Sequence, residues 1–496
     1  MKSFVRRFSF SDQSTLLTQA VLHPRFQVLL ITFLATVMIF SKLGGSGLAN
    51  YDDCFYAQKA KEILQTGSWM TMHYNHEPAF ENSPFFLWMI AISYKIFGIS
   101  EFAAKFPSAL MGVATILLVY ALARRLYNNW TAFFAAFILS TTFIFTRYAR
   151  HAMIDVTLTF FVCSAFLALT LALRQNRRFF LLWGLCISIC ILAKSVLGFF
   201  PLLITGILLI VTKRWRTFRD KNFWAGVAII LVIGFSWYIH EYLFFGNEFL
   251  DIHFGWLIMH RGLGLEGQSW YDHLSYLDDL LTYYWPWLPL FATGLVVLFR
   301  RALKKDENAL LLLLWVLTII TVMSLMQSRV LWYIMPVFPA AAIISSTMID
   351  YALPERFKIL AAKVFLVLAA IAFLALNMTP VRLEADREPD VRILAPYVRA
   401  LSNSGVTVAA FRQDYYGLNN SLLFYSDHAA FPILNDTRDL SHFLMDSARK
   451  ACILPRSELD TVHSIIPAIT ILRTTDELAL ISNGPLDISG VKPFAQ

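Results

Sequence analysis

Apolar residues in this chain neither alternate nor trace a narrow helical stripe. They come in long blocks separated by short tracts rich in Arg and Lys. Eleven blocks, at about 26–47, 107–123, 131–146, 152–173, 179–193, 196–212, 222–245, 278–299, 309–326, 330–349 and 357–378, read as transmembrane helices, because a helix needs roughly 20 apolar residues to cross the hydrocarbon of a bilayer. The first block is too long for the apolar core of a leader and lacks a small-residue cleavage site, so it predicts a retained helix. Basic residues then fall in every second loop. Lys2, Arg6, Arg7 and Arg25 precede the first block, and Arg124–Arg125, Arg174–Arg178, Lys213–Lys221, Arg300–Lys305 and Arg356–Lys358 follow in alternate connections. That bias predicts a cytoplasmic N-terminus and an outward-facing C-terminal tail. The run PFFLWMIAISYKIFG (84–98) is short and contains Lys95. Counted as a span it would invert every later loop, so it predicts an interfacial helix, with a second at about 55–66 before it.

Composition supports lipid as the main solvent. Of 496 residues 57% are hydrophobic and only 15% charged, against about 25% charged in soluble domains. Phe 43, Trp 13 and Tyr 19 suit interfacial belts. The formal charge of +8 sits in short topological tracts, which argues against nucleic acid as a partner. Cys54, Cys163, Cys186, Cys190 and Cys452 form no CxxC pair and read as buried, inert thiols. Three regions lie outside the membrane: loop 50–106, loop 246–277 and a tail from about 380. In the tail, short apolar runs such as VTVAAF (406–411), SLLFY (421–425) and ACILP (451–455) separate helical stretches. The expected organisation is a transmembrane domain over 1–379 and a small extracytoplasmic α/β domain over 380–496.

Four polar clusters share the outer side of this topology. Asp52 and Asp53 follow the first helix; neighbouring carboxylates point apart, so one can take a proton while the other orients it or caps the helix start. Glu81-Asn82-Ser83-Pro84 stands where the chain turns back to the interface. RYARHAMID (147–155) brings Arg147, Arg150, His151 and Asp155 to a helix entrance; an acid such as Asp155 inside an apolar run is costly unless paired or functional. A structural salt bridge to a nearby arginine is the plain alternative. Lys194, with Arg261 and Arg329, is a cation on the side the topology disfavours. Together they suggest a bound anion, phosphate first; snorkelling to headgroups is the alternative. Gly262 to Gly267 match GxGxxG formally, but no strand precedes and no helix follows them, so a flexible loop is the reading. His253, His260 and His273 have no metal-ligand spacing and read as core or loop histidines.

These residues resemble a known family. YDDCFYAQKAKEILQTGSW is similar to the DExxYxxxAxxxxxTGxW signature of the dolichyl-phosphate-mannose protein mannosyltransferase-like superfamily, and FENSPFFLW, RYARHAMID, LAKSVLGFFPLL and SRVLWYIMPVFPAAAII extend the likeness in order. The tail fragment NNSLLFYSDHAAFPI resembles the lipid A aminoarabinose transferase branch. The resemblance implies a GT-C fold, an all-α polytopic membrane protein with about eleven spans, interfacial helices and the small tail domain. It implies a glycosyltransferase using a polyprenyl-phosphate sugar donor, with a glycolipid, glycan or protein acceptor, in a bacterial inner membrane. By the same resemblance Asp52 is the general base, Asp53 stands where Glu is usual, Asp155 positions the acceptor or the base, and Glu81 is the acid of the second motif. Lys194, Arg261 and Tyr333 match donor-phosphate positions, and Tyr56 and Arg329 join them as expected substrate contacts. Asn82 and Phe55 replace a lysine and an arginine of the family pattern. No cofactor is specified, and a divalent metal ion is left open as an addition.

The expected mechanism is inverting sugar transfer, with anionic leaving phosphate stabilised electrostatically in place of a general acid. A transporter or flippase for a lipid-linked sugar, or a non-catalytic binder of one, would use the same polar groups. Crowding of these groups at one interface, without repeated halves, favours the enzyme.

Overall fold

The structure, a computed structural model, describes residues 23–50, 52–260, 275–326, 329–379, 389–412, 419–427, 432–446 and 448–491. Contacts group the chain into two compact units, one of Met1–Leu43, Phe80–Phe86 and Pro107–Val381, the other of Gly44–Ala79, Leu87–Phe106 and Arg382–Gln496. Most of loop 50–106 thus groups with residues 382–496.

In the first unit a helix stands at each of the eleven expected places: Pro24–Phe40, Glu101–Leu126, the pair Asn129–Thr141 and Phe143–Ala149, Ile154–Arg174, Phe179–Lys194, Phe200–Val211, Lys221–Phe245, Leu288–Leu303, Glu307–Ser324, Phe338–Ala352 and Glu355–Met378. Among the described residues, seven helical runs are long and apolar enough to cross a bilayer unaided, or eight if the pair bent by 66° after Thr141 is one span. One of the seven, Phe179–Val211, is not a single rod. The Trp183 indole N–H donates to Thr205 Oγ1 at 3.2 Å, whereas a straight helix would separate residues that far apart by roughly 33 Å. The chain therefore reverses through the 3₁₀ turn Ser195–Phe199, making two antiparallel helices as the sequence predicts. Gly198 permits the reversal, since a Cβ there would lie 2.4 Å from the carbonyl carbon of Cys190.

Three boundaries differ from expectation, each for a local reason. The first helix stops at Phe40 instead of about 47, where Gly44, Gly45 and Gly47 follow. The Arg150 guanidinium donates to the carbonyls of Met38 and Ile39 at 3.2 and 2.9 Å, taking the place of a further helical turn. The block 278–299 is two helices, Ser275–Tyr283 and Leu288–Leu303, because Pro286 and Pro289 lack the N–H that continuity needs. The expected loop 246–277 is helical where described, as Asn247–Leu250 and a π-helical Asp251–His260.

Side-chain pairs tie the basic connections together at one end of this unit. Arg214 forks onto Glu307 at 2.9 and 2.7 Å, Arg177 pairs with Asp220, and Lys358 reaches Asp350 at 2.5 Å, which also accepts from Asn128 at 2.7 Å. The alternate connections meet at the other end, where the polar groups discussed below are found.

In the second unit the interfacial helices Asp52–Thr66 and Phe85–Phe97 are present, with a two-residue ribbon, β1 (His73–Tyr74) and β2 (Glu77–Pro78), between them. The tail is an α/β domain. Its strands β3 (Thr407–Phe411), β4 (Ile433–Leu434), β5 (Lys450–Pro455), β6 (Thr470–Thr474) and β7 (Leu478–Ser482) run in the order β4-β3-β5-β7-β6. The first three strands in that order are parallel and the last two pairings antiparallel. One apolar core lies under the sheet, around Phe411, Leu440, Leu454, Val462 and Ile481. The run SLLFY, grouped in the sequence reading with the strand-like runs, is the helix Asn419–Ser426 instead. That helix is buried against Asp52–Thr66: Lys61 Nζ donates to the Phe424 carbonyl at 2.9 Å and pairs with Asp427. Tertiary partners, not local pattern, set its conformation.

Candidate active site

Within the first unit, the ends of three elements converge on an ion pair. Asp155 opens the helix Ile154–Arg174, and its buried carboxylate accepts from Lys194 Nζ at 2.5 Å. Lys194 is the last residue of the helix Phe179–Lys194. Its ammonium also stands over the Tyr333 ring, 4.3 Å from the centroid, an arrangement in which ring quadrupole and carboxylate both stabilise the charge. Tyr333 comes from the 3₁₀ segment Leu331–Val337. The partner of Asp155 is thus the expected donor-site lysine and not an arginine.

Tyr276 completes this rim. Its hydroxyl donates to the Val330 carbonyl at 3.3 Å, and burial, then Tyr333, Asp279 and Asp155, push its ionisation upward. The phenol therefore stays a neutral donor.

Behind Lys194 lies a network the sequence did not reveal. His253 is buried, with Nδ1 2.6 Å from the Phe80 carbonyl and Nε2 3.0 Å from Ser195 Oγ. A carbonyl only accepts, so Nδ1 carries the hydrogen and Nε2 accepts from the Ser195 hydroxyl. Burial depresses the His253 pKa, opposed by the Phe80 carbonyl and by Glu81, which places Glu81 within electrostatic reach of this ring. Tyr238 hydrogen-bonds Ser83 at 2.9 Å and donates to the Ile191 carbonyl at 3.0 Å. The sequence reading took His253 for a core or loop histidine; its distance along the chain from Phe80 and Ser195 hides the contact.

The remaining expected residues divide as follows. Arg329 is half-buried, one residue before Val330. Arg261, the 262–267 glycine segment and His273 lie outside the described residues, as does the side chain of His260. Arg150 caps the first helix, and His151 is buried with its ring 6.3 Å from that of Tyr148. In the second unit, Asp52 and Asp53 start the helix Asp52–Thr66. Asp53 is buried and its Oδ2 accepts from the Ala49 N–H at 3.1 Å, while Asp52 is half-buried. Tyr56 is buried beside Phe55, ring centroids 6.0 Å apart. All five cysteines are buried and outside any disulfide. Among the described residues no three His, Cys, Asp or Glu side chains are placed to hold a metal ion.

The model of the dolichyl-phosphate-mannose-protein mannosyltransferase family matches residues 81–240, the stretch holding Glu81, Asp155 and Lys194. An undecaprenyl phosphate-alpha-4-amino-4-deoxy-L-arabinose arabinosyl transferase of Pseudomonas fluorescens is 28% identical over 320 residues, 62% of this chain and 57% of that protein. The crystal structure of ArnT from Cupriavidus metallidurans bound to undecaprenyl phosphate superposes with a TM-score of 0.74 at 18% identity, over 98% of this chain and 100% of that one. The chain has the GT-C fold. In sequence this GT-C-fold protein is similar to the aminoarabinose transferases. An Aquifex aeolicus protein is 29% identical over 354 residues, 71% of this chain and 69% of that protein. An oligosaccharyltransferase of Archaeoglobus fulgidus, in complex with Zn and sulfate, shares the GT-C fold more distantly, with a TM-score of 0.58 at 13% identity, over 87% of this chain and 68% of that one. This chain spans little more than half the length of that Pseudomonas protein.

Proposed function

We propose that this GT-C protein transfers a sugar from a polyprenyl-phosphate donor to a lipid A-like lipid, a glycan or a protein on the outer face of a bacterial inner membrane. The observation that carries the reading is the ion pair of buried Asp155 with half-buried Lys194, whose ammonium stands over Tyr333, at the end of the unit opposite the basic connections. A cation held there beside an aromatic face suits a lipid phosphate entering from the bilayer, where an unpaired buried charge would be costly. Lys194 and Tyr333 bind the donor phosphate, with Arg261 and Arg329 supplying the charge that Asp155 cancels.

Transfer proceeds with inversion. The acceptor oxygen attacks the anomeric carbon, the bond from that carbon to the phosphate oxygen breaks, and Asp52 takes the acceptor's proton. The polyprenyl phosphate departs as an anion, so stabilising its charge serves in place of protonation. Asp52 has this role by its place in the DDCFY motif, while Asp53 accepts from the Ala49 N–H. Glu81 and Tyr56 orient substrate, and the tail domain faces the periplasm with the N-terminus cytoplasmic. Purified protein given a radiolabelled polyprenyl-phosphate sugar and candidate acceptors is expected to move label to one of them. Bound label that never leaves the donor, or label that only crosses the bilayer, would replace the enzyme with a binder or a flippase.

A further inference from the structure

Lys194 ends its helix at an unusual place in the backbone. Ser195, the next residue, has φ 45° and ψ −124°, in a region that side-chain-bearing residues rarely adopt and that persists only where surrounding structure holds it. Asn or Gly would be the ordinary choice there. Two side chains meet the Ser195 hydroxyl: it donates to His253 Nε2 at 3.0 Å, and Tyr238 also lies within hydrogen-bond reach. His253 is fixed in turn through Nδ1 to the Phe80 carbonyl at 2.6 Å, and its ring stacks on Phe249 and meets Trp237 and Tyr238 edge-on. A ring locked on three sides, with both nitrogens engaged, is a rigid post.

We propose that His253 is a positioning residue for Lys194, acting through the Ser195 hydroxyl and resting on the donor-phosphate role given to Lys194 above. The strained turn sets the direction in which the lysine leaves its helix. Without the brace, Ser195 relaxes toward an ordinary backbone conformation and the ammonium loses its place between Asp155 and Tyr333. The same ring bonds the carbonyl of Phe80, the residue before Glu81, so one side chain registers the 80–83 segment against the lysine. The neutral tautomer is essential to this, because a protonated ring would present Ser195 with a donor in place of an acceptor.

The test is binding of a polyprenyl phosphate to the full-length protein in detergent or nanodiscs, for wild type, Ser195→Ala, His253→Phe, Lys194→Gln and the double variant His253→Phe/Lys194→Gln. Losing one such hydrogen bond is expected to weaken binding about fivefold to tenfold in Ser195→Ala and in His253→Phe alike. In the Lys194→Gln background, His253→Phe should cause no further loss, since the residue it serves is gone; a purely structural histidine would lower thermal stability without this dependence on Lys194. Wild-type affinity in Ser195→Ala, or an equal further loss on the Lys194→Gln background, would overturn the inference while leaving the donor site standing. A wild-type protein that fails to bind, or Lys194→Gln that binds as tightly, would overturn the donor reading and the inference with it. Should His253→Phe fail to fold, the single hydroxyl removed in Ser195→Ala decides.

Discussion

At the scale of single residues, the proposed mechanism gives the two neighbouring carboxylates different tasks. Asp53 accepts from the Ala49 N–H, and Asn at that position keeps an accepting oxygen, so Asp53→Asn should retain most transfer. Asp52→Asn is expected to lower the transfer rate by about 10²–10⁴-fold with folded yield unchanged; equal rates for the two variants would remove the division between them. Asp155 and Lys194 report on stability as well as activity. Lys194→Ala leaves a buried carboxylate without its cation, a change worth roughly 3–5 kcal/mol, visible as a lowered melting temperature in detergent. The double variant Asp155→Asn/Lys194→Met should recover much of that loss, because no charge remains to be solvated, yet stay inactive. His253 adds a pH dependence with a definite sign. Its pKa is depressed in the fold, so the unfolded chain binds more protons just below about 6.5. Stability is then full above that value and falls as pH drops below it. His253→Phe should flatten this acid limb in melting curves taken from pH 7.5 to 5; an unchanged limb would place the titration elsewhere.

At the scale of elements, the fold turns on places where the chain must come very close to itself. Gly184 and Gly226 let two helices touch backbone to backbone, since a Cβ on Gly184 would lie 2.2 Å from the Gly226 carbonyl oxygen. Gly198 closes the hairpin that presents Lys194. Gly198→Ala is expected to abolish monodisperse protein on size-exclusion chromatography, whereas Gly206→Ala, with nothing within 4 Å of its Cβ, should behave as wild type. Element existence was legible in the chain because apolar blocks and basic tracts carry it redundantly. Element ends were less so. Arg150 stops the first helix from more than a hundred residues away, and nothing near Phe40 announces that partner. The hairpin itself was legible through Lys194 interrupting two apolar runs, while the positive φ of Ser195 was not, since serine carries no signal for it.

At the scale of the molecule, the tail is built into the second unit and is not an appendage of it. The Leu48 N–H donates to the Tyr425 hydroxyl at 2.9 Å, Asn50 accepts from the Ser421 N–H at 3.0 Å, and Lys61 is buried against Phe424 and Asp427. Burial lowers the Lys61 pKa, with Asp427 working to restore it. These bonds hold the segment that leads into Asp52 and the helix that follows it. A chain ended after residue 379 is therefore expected to expose residues 44–79 to limited proteolysis, with cleavage in that segment faster than in the intact protein; an unchanged pattern would show that the segment stands without the tail. By itself the sequence determined the spans, their basic alternate connections and the α/β character of the tail, because hydrophobic blocks and charge bias are local and repeated along the chain. Only the tertiary structure decided that Asp155 is matched to Lys194, that His253 braces Ser195, and that SLLFY is a helix. Those outcomes depend on burial and on partners far away in the chain, where desolvation makes each polar group seek a mate that no local pattern names.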